Sequence, residues 1–520
     1  MAGCLSIQDS PAQLVDETQV SPTVPGGTIG KSLEEQVGAG RGNVATPQSS
    51  VYLIKRDPAR SIRRGRQLFQ RKFTTDQGLG PRVNSSSRGD IVQNPAFGAG
   101  LVDSCAGCHG RPRGAAGHGG VVNTRPDSRD APHLFGLGLQ EMLADEMTTE
   151  LRRIETEAAR EAARRGRPVR KRLRAKGIRF GSITVSPDGE VDTTRIEGVD
   201  SDLRVRPFFA HGGSYAIREF IVGAFKDEMG LECTDPDMTI AAGGGQVTTP
   251  SGMKLDGSTD KLNAPPIADV STDGDADGVT NEIDPAVVDH LEFYLLNYFK
   301  PGTGKSSRRT EMGLKHMKQM GCTSCHTQNL TIDNDRRVAD VETVFDPERG
   351  IYNRLFATAT PLFEVQALEE GQEYPQLLPK GEKFVMKNIF SDLKRHDLGK
   401  GFWERQYDGS LIKEMVTEPL WGVGTTAPYG HDGRSINLEE VILRHGGEAK
   451  RSRERFARAP ESARDAIPAY LNTLVLFPPD DTASNLNPGS PGKYSQDPAA
   501  HGTINLGALF QIPDPNGLGE

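Results

Sequence analysis

From Ser61 to Phe73 the apolar residues Ile62, Leu68, Phe69 and Phe73 recur at roughly helical spacing, which predicts a helix. Residues 141–165 read as a long charged helix. Between Gly181 and Asp200 the pattern alternates instead. Ile183, Val185 and Val191 surround Pro187-Asp188-Gly189, as in a β-hairpin. A further helix is predicted after Asp284-Pro285, a capping pair, with Val287, Val288, Leu291, Tyr294, Leu295 and Tyr298 on its apolar face. The string Gly65-Arg-Gln-Leu68-Phe69 resembles Gly313-Leu-Lys-His316-Met317, a weak internal repeat. Residues 1–50 are rich in Ser, Thr, Pro, Gly and Gln and lack periodicity, so they read as a disordered tether with structure starting near Val51.

Composition sharpens this outline. A chain of 520 residues has room for two or three domains. Its 59 glycines and 34 prolines imply much loop. A net charge of -8 and a pI near 5.9 argue against a nucleic-acid partner. The basic stretch Arg164–Lys176 follows a run rich in Glu and Ala, so it reads as a solvated helix face with its exposed end. No apolar run reaches membrane-spanning length.

Two pentapeptides then change the picture: Cys105-Ala-Gly-Cys108-His109 and Cys322-Thr-Ser-Cys325-His326. Each has the Cys-x-x-Cys-His spacing that attaches a c-type haem, the thiols adding across the vinyl groups and the histidine becoming the proximal iron ligand. A structural zinc site would not require either histidine, and a thioredoxin-like motif would sit near a βαβ pattern that neither copy has. Two covalently bound haems are the expected cofactors. A helix leading into a haem motif is how cytochrome c domains begin, so the expected fold is mainly α: two cytochrome c-like domains with loop-rich insertions and a small β-hairpin. The first would cover 51–300, with an insertion between Thr75 and Ser104 and an elaboration at 141–205. The second would cover 301–480, and 481–520 would be an extension. Cys233 reads as a free structural thiol. Covalent haem attachment implies the periplasm. No secretory signal is visible, but Met1-Ala2-Gly3-Cys4 resembles the end of a lipoprotein signal, which would make Cys4 a lipid anchor; the alternative is a cysteine in a plain tail.

Residues 273–284 match a calcium loop. Asp273, Asp275 and Asp277 fall at positions 1, 3 and 5, Gly278 at 6, the Val279 carbonyl at 7 and Asp284 at 12, where a longer Glu is usual. The alternative is an acidic loop without a metal.

The C-terminal half carries a family resemblance. Pro419-Leu-Trp-Gly-Val-Gly-Thr-Thr426-Ala-Pro428-Tyr-Gly-His431-Asp-Gly433, followed by Leu438-Glu439-Glu440, closely resembles the bacterial di-haem cytochrome c peroxidases and the methylamine-utilisation di-haem enzyme. Ala131–Leu139, Glu228-Met229-Gly230 and Ser391–Asp397 are similar to the di-haem oxidoreductase branch of such proteins, and the resemblance runs from about Ser61 to Phe477. It implies that the C-terminal haem receives electrons and that its distal ligand lies fourteen residues beyond His431, a methionine in the peroxidases and His445 here. His326 and His445 would then be its two axial ligands, with His396 the rival, and loss of Met ligation should lower its potential. The resemblance makes the N-terminal haem, on His109, the peroxide-reacting one, with Glu228 as proton shuttle. The family's switchable distal histidine falls at Arg125, leaving His118, His133 and His211 as candidates, or an open site. A calcium between the haem domains would take carbonyls of Thr426 and Pro428. The implied function is a periplasmic di-haem oxidoreductase, peroxidase-like, fed by a small redox protein such as a c-type cytochrome or a cupredoxin. The alternatives are a non-catalytic electron carrier, a haem sensor, or an oxidant of a protein partner.

Overall fold

The computed structural model describes residues 33–80, 102–109 and 129–476, apart from 276, 299, 347, 349–354, 367–374 and 407. The positions of Cys4, His118 and Arg125 and the extension 481–520 lie outside the described residues. Helix accounts for 37% and strand for 20%, so the fold is mixed rather than mainly α, and the expected cytochrome c-like domains are not shown. The strands form one three-stranded sheet and seven two-stranded ladders among the described residues. Many of these ladders are only two to four residues long. Runs that short carry too little alternation to be recognised, so glycine- and proline-rich sequence that reads as loop pairs locally into strands.

Five helices frame the site: α1 (Pro58–Gln70), α2 (Leu137–Arg165), α3 (Pro285–Asn297), α4 (Arg308–Met320) and α5 (Glu461–Leu471). The Asp57 side chain caps α1 at the Arg60 amide, and Ser307 and Thr310 form a reciprocal capping box on α4. The weak repeat has a structural meaning. A Cβ on Gly65 of α1 would lie 2.1 Å from the His290 carbonyl oxygen and 2.5 Å from the Tyr294 Cβ of α3. A Cβ on Gly313 of α4 would lie 2.0 Å from the Ala466 carbonyl oxygen and 2.7 Å from the Tyr470 Cβ of α5. Both halves therefore use the same close crossing, glycine against a carbonyl with a tyrosine one turn on.

The hairpin turn at Pro187-Asp188-Gly189 joins β2 (Ile178–Val185) to β3 (Val191–Ile196), and β1 (Val169–Ala175) adds a third antiparallel strand. The basic stretch is thus not a helix end beyond Arg165. Val169, Leu173 and Ala175 point inward on β1 while Arg170, Arg172 and Arg174 face solvent. Part of the expected tether is structured, including a helix Leu33–Val37, because its polar residues serve as specific partners. Gln36 is buried and accepts from Arg71 at 3.0 Å, and the Ser50 hydroxyl reaches Asp289 at 2.5 Å.

The main core crosses the midpoint of the chain. It joins Leu68, Leu139, Met147, Leu291 and Leu295 to Ile332, Ile389, Trp421 and Leu476. A smaller core gathers Met317, Phe390, Phe456, Ile467 and Leu471 around the second motif. Among the described residues no helix is long and apolar enough to cross a membrane.

Candidate functional site

Both Cys-x-x-Cys-His motifs open onto one cavity of about 730 Å³. The first motif forms a single helical turn, Cys105–His109, whose Gly107 amide donates to the Ser104 hydroxyl at 3.1 Å. The second follows directly on α4. Gly321, at φ 88°, ends the helix in the left-handed region and turns the chain into Cys322–Ser324.

Three imidazoles in this cavity are tied in the same way. The His109 Nδ1 donates to the Pro132 carbonyl at 2.7 Å, His326 to Phe390 at 2.9 Å and His445 to Val441 at 2.7 Å. A carbonyl can only accept, so the proton is on Nδ1 and the Nε2 lone pair is left for another bond. Burial holds all three below the ordinary histidine range, His445 at about 4, which keeps them neutral. His326 contributes to the depression at His445, so the two rings share one region. The carbonyl that receives His326 lies in a strained stretch, with Asn388, Phe390 and Leu393 at φ 57°, 51° and 54°.

None of the described cysteines forms a disulfide, and burial raises the Cys105 thiol to about 12 and those of Cys108 and Cys322 to about 11. The walls are apolar: Phe208, Phe220, Leu291 and Leu295 near the first motif, and Leu438, Val441, Ile442 and Leu471 near the second. Paired thiols, neutral imidazoles with a free Nε2 and an apolar cavity are what a c-type haem at each motif requires, so the residues fit.

Two expected ligands are otherwise engaged. His133 accepts the Phe135 amide on Nδ1 at 3.2 Å and donates Nε2–H to the Trp421 carbonyl at 2.8 Å. His396 has Nε2 3.0 Å from Asp392 and Nδ1 2.8 Å from Glu448. Neither has a lone pair left for iron, a point that spacing along the chain cannot reveal. His211 lies in the wall, its Nδ1 3.5 Å from an Arg129 guanidinium nitrogen.

Two carboxylates line the cavity. Glu228, in the turn Phe225–Met229, lies close enough to Cys108 to raise that thiol. Glu418 was not singled out by the sequence. It is exposed by surface area and lines the cavity, yet desolvation by the protein packed around it raises the carboxyl to about 7 against the pull of Arg129. Arg129 is paired with Glu404 at 2.6 Å. Trp421 is 2% exposed, and its ring lies where a Cβ on Gly136 would come within 2.6 Å. Thr426 and Pro428 line the same cavity, and the Thr426 hydroxyl donates to the Gly422 carbonyl at 3.2 Å.

In the acidic loop, ligand oxygens of Asp273, Asp275 and Asp277 lie within 4.8 Å of one another. Asp284 does not join them: its side chain caps α3 at the Ala286 amide, 2.8 Å away. Glu282 stands nearer to the cluster. It is 4% exposed, accepts the Glu232 amide at 2.7 Å, and is raised to about 8 by burial and then by Asp275, Asp277 and Glu232. Glu282 is missed by the loop pattern because it falls at a non-ligand position of that template. Cys233 is fully buried, a structural thiol.

Residues 367–474 match the family model described as "Di-haem oxidoreductase, putative peroxidase". This bears out the resemblance carried by Pro419–Gly433 and Ser391–Asp397 and supports a di-haem oxidoreductase. No curated protein matches the chain. Among solved structures the chain is similar to one described as "Kuenenia stuttgartiensis Hydrazine Synthase Pressurized with 20 bar Xenon", at 15% identity with a TM-score of 0.22, over 37% of this chain and 56% of that one. This chain therefore spans a little over half the length of the structure it matches.

Proposed function

We propose that this chain is a periplasmic di-haem c-type oxidoreductase of peroxidase type. The observation that carries the reading is the single cavity holding both Cys-x-x-Cys-His motifs together with Glu228 and Glu418. A c-type haem, when bound, supplies one-electron redox chemistry at iron. Cys105 and Cys108 would hold one haem and Cys322 and Cys325 the other. His109 would ligate the iron at the first motif, and His326 and His445 the iron at the second. The second motif, with two histidines to offer, would suit electron entry from a c-type cytochrome or a cupredoxin.

Reducing one peroxide to two waters takes two electrons from that donor and two protons. The protons fall to the cavity's carboxylates, which move one from the inner to the leaving oxygen. Glu418 is the better placed of the two in chemical terms, because a carboxyl near 7 can both accept and release a proton close to neutral pH. The apolar wall around Phe208 and Phe220 limits water at the first motif.

The test is a spectrum of the as-isolated protein with steady-state peroxide turnover. The proposal expects two c-type haems, one low-spin with two histidines and one reactive with peroxide. Two six-coordinate haems in every redox state without turnover would leave a non-catalytic carrier or sensor. A long-lived oxidised state without turnover would leave an oxidant of a protein partner. We also propose a calcium ion on Asp273, Asp275 and Asp277, with Glu282 in place of Asp284. The support is the buried oxygen of Asn281 beside the loop, which accepts no hydrogen bond among the described residues. Lipidation of Cys4 remains part of the proposal for a membrane-attached periplasmic protein.

A further inference from the structure

The segment after His445 is fastened to a short strand by a histidine held between two carboxylates. That strand, β4 (Arg395–Asp397), pairs antiparallel with β5 (Glu414–Val416). His396 is 6% exposed, with Nε2 3.0 Å from the Asp392 Oδ2 and Nδ1 2.8 Å from the Glu448 Oε2. Carboxylates only accept, so both ring nitrogens carry a proton and the imidazole is a cation bridging two anions. Asp392 is 2% exposed and is fixed in turn by accepting the Lys394 amide at 3.0 Å.

Glu448 uses both oxygens. While Oε2 takes His396, Oε1 accepts the Asp397 amide at 3.0 Å. Between His445 and Glu448, the Gly446 amide donates to the Leu398 carbonyl at 2.8 Å. Gly447, at φ 46°, lies so close to β4 that a Cβ would meet the Asp397 carbonyl oxygen at 2.0 Å. Residues 446–448 are therefore laid along 396–398 by three hydrogen bonds and a close backbone contact. From the other side, the His445 ring donates Nδ1–H to Val441 and packs edge-on against Phe402, with centroids 5.1 Å apart.

We propose that His396 is a positioning residue for the second haem: through Glu448 it holds the His445 loop against β4, so that the His445 Nε2 faces the iron carried by His326. This inference rests on the di-haem reading and on His445 as a ligand. It gives a role to the conspicuous Ser391–Asp397 segment, whose Phe390 neighbour already orients His326. One segment then aims both histidines of the pair.

The experiment uses the full-length ferric holoprotein and reads the spin state and midpoint potential of the second haem by absorption and electron paramagnetic resonance. Removing a hydrogen-bonded support behind a metal ligand typically weakens ligation about 10- to 100-fold. His396→Ala and Glu448→Ala are expected to convert much of the second haem from low-spin to high-spin, with the first haem's signals unchanged. Glu448→Gln, which keeps an acceptor for His396, should fall between them and the parent. Glu448 is half-exposed, so its variants keep the proposal testable if His396→Ala fails to fold. In a His445→Ala background, adding His396→Ala should change the second haem no further. Parent-like spectra in His396→Ala and Glu448→Ala would overturn the proposal, as would an equal shift without His445. If His445→Ala alone leaves the spectrum untouched, the ligand reading itself fails, an outcome distinct from failure of the latch.

Discussion

At the scale of single residues, the chemistry of this cavity is decided by which ring nitrogen each histidine has left. His109, His326 and His445 each spend Nδ1 on a backbone carbonyl. His133 and His396 spend both nitrogens on protein groups. Sequence marks His109 and His326 by their motifs but does not separate His445 from His133 and His396 on this point. Glu418 shows the same limit. A glutamate before a proline reads as surface loop, yet it lines the cavity and is raised to about 7, with burial the largest cause. If Glu418 begins each peroxide cycle by accepting a proton, its ionised form is the active one, and turnover should rise as pH climbs through about 7. Glu418→Gln should lower turnover by roughly 10²- to 10⁴-fold and remove that limb. Glu228→Gln should leave the limb in place. A profile unchanged in Glu418→Gln and abolished in Glu228→Gln would return the role to Glu228.

At the scale of elements, the two helix crossings are the most exposed to test. The atoms that a Cβ on Gly65 or Gly313 would strike are a backbone carbonyl and a tyrosine Cβ, which no side-chain rotation moves. Gly65→Ala and Gly313→Ala should each destabilise the fold by about 1–3 kcal/mol through overpacking, despite the better helix propensity of alanine. Chemical denaturation of each variant checks this, and a stabilised variant would contradict the packing. The acidic loop gives a second element-scale prediction. Asp284 is a helix cap, so Asp284→Asn should keep both the cap and the calcium affinity. Glu282→Gln should weaken calcium binding, as measured by calorimetry on the holoprotein. The reverse ranking would restore the position-12 assignment. The elements also show where sequence reading stopped. The long helix, the hairpin turn and the Asp284 cap were legible because each carries a local signal. Most of the two-stranded ladders were not, because runs of two to four residues show no alternation, and β1 was not, because its arginines read as a solvated helix end although its partner β2 follows directly.

At the scale of the whole molecule, the main core and the cavity both ignore the boundary expected near residue 300. Trp421 belongs to the core that also holds Leu68 and Leu139, and its carbonyl receives the His133 ring from the segment that anchors His109. Packed protein therefore connects the segments that carry the two motifs. The sequence by itself determined two thiol pairs with adjacent histidines, the family resemblance over the C-terminal segment, and the helices whose signals are local. Those follow from residue type and short spacing, which are fixed before folding. Tertiary structure alone decided that the motifs share one cavity, that His445 keeps a free nitrogen while His133 and His396 do not, that Asp284 caps a helix instead of joining the acidic cluster, and that Glu418 joins Glu228 in the cavity wall. Each depends on which distant groups meet in space, because a hydrogen bond or a burial shift is set by neighbours that the linear order does not specify.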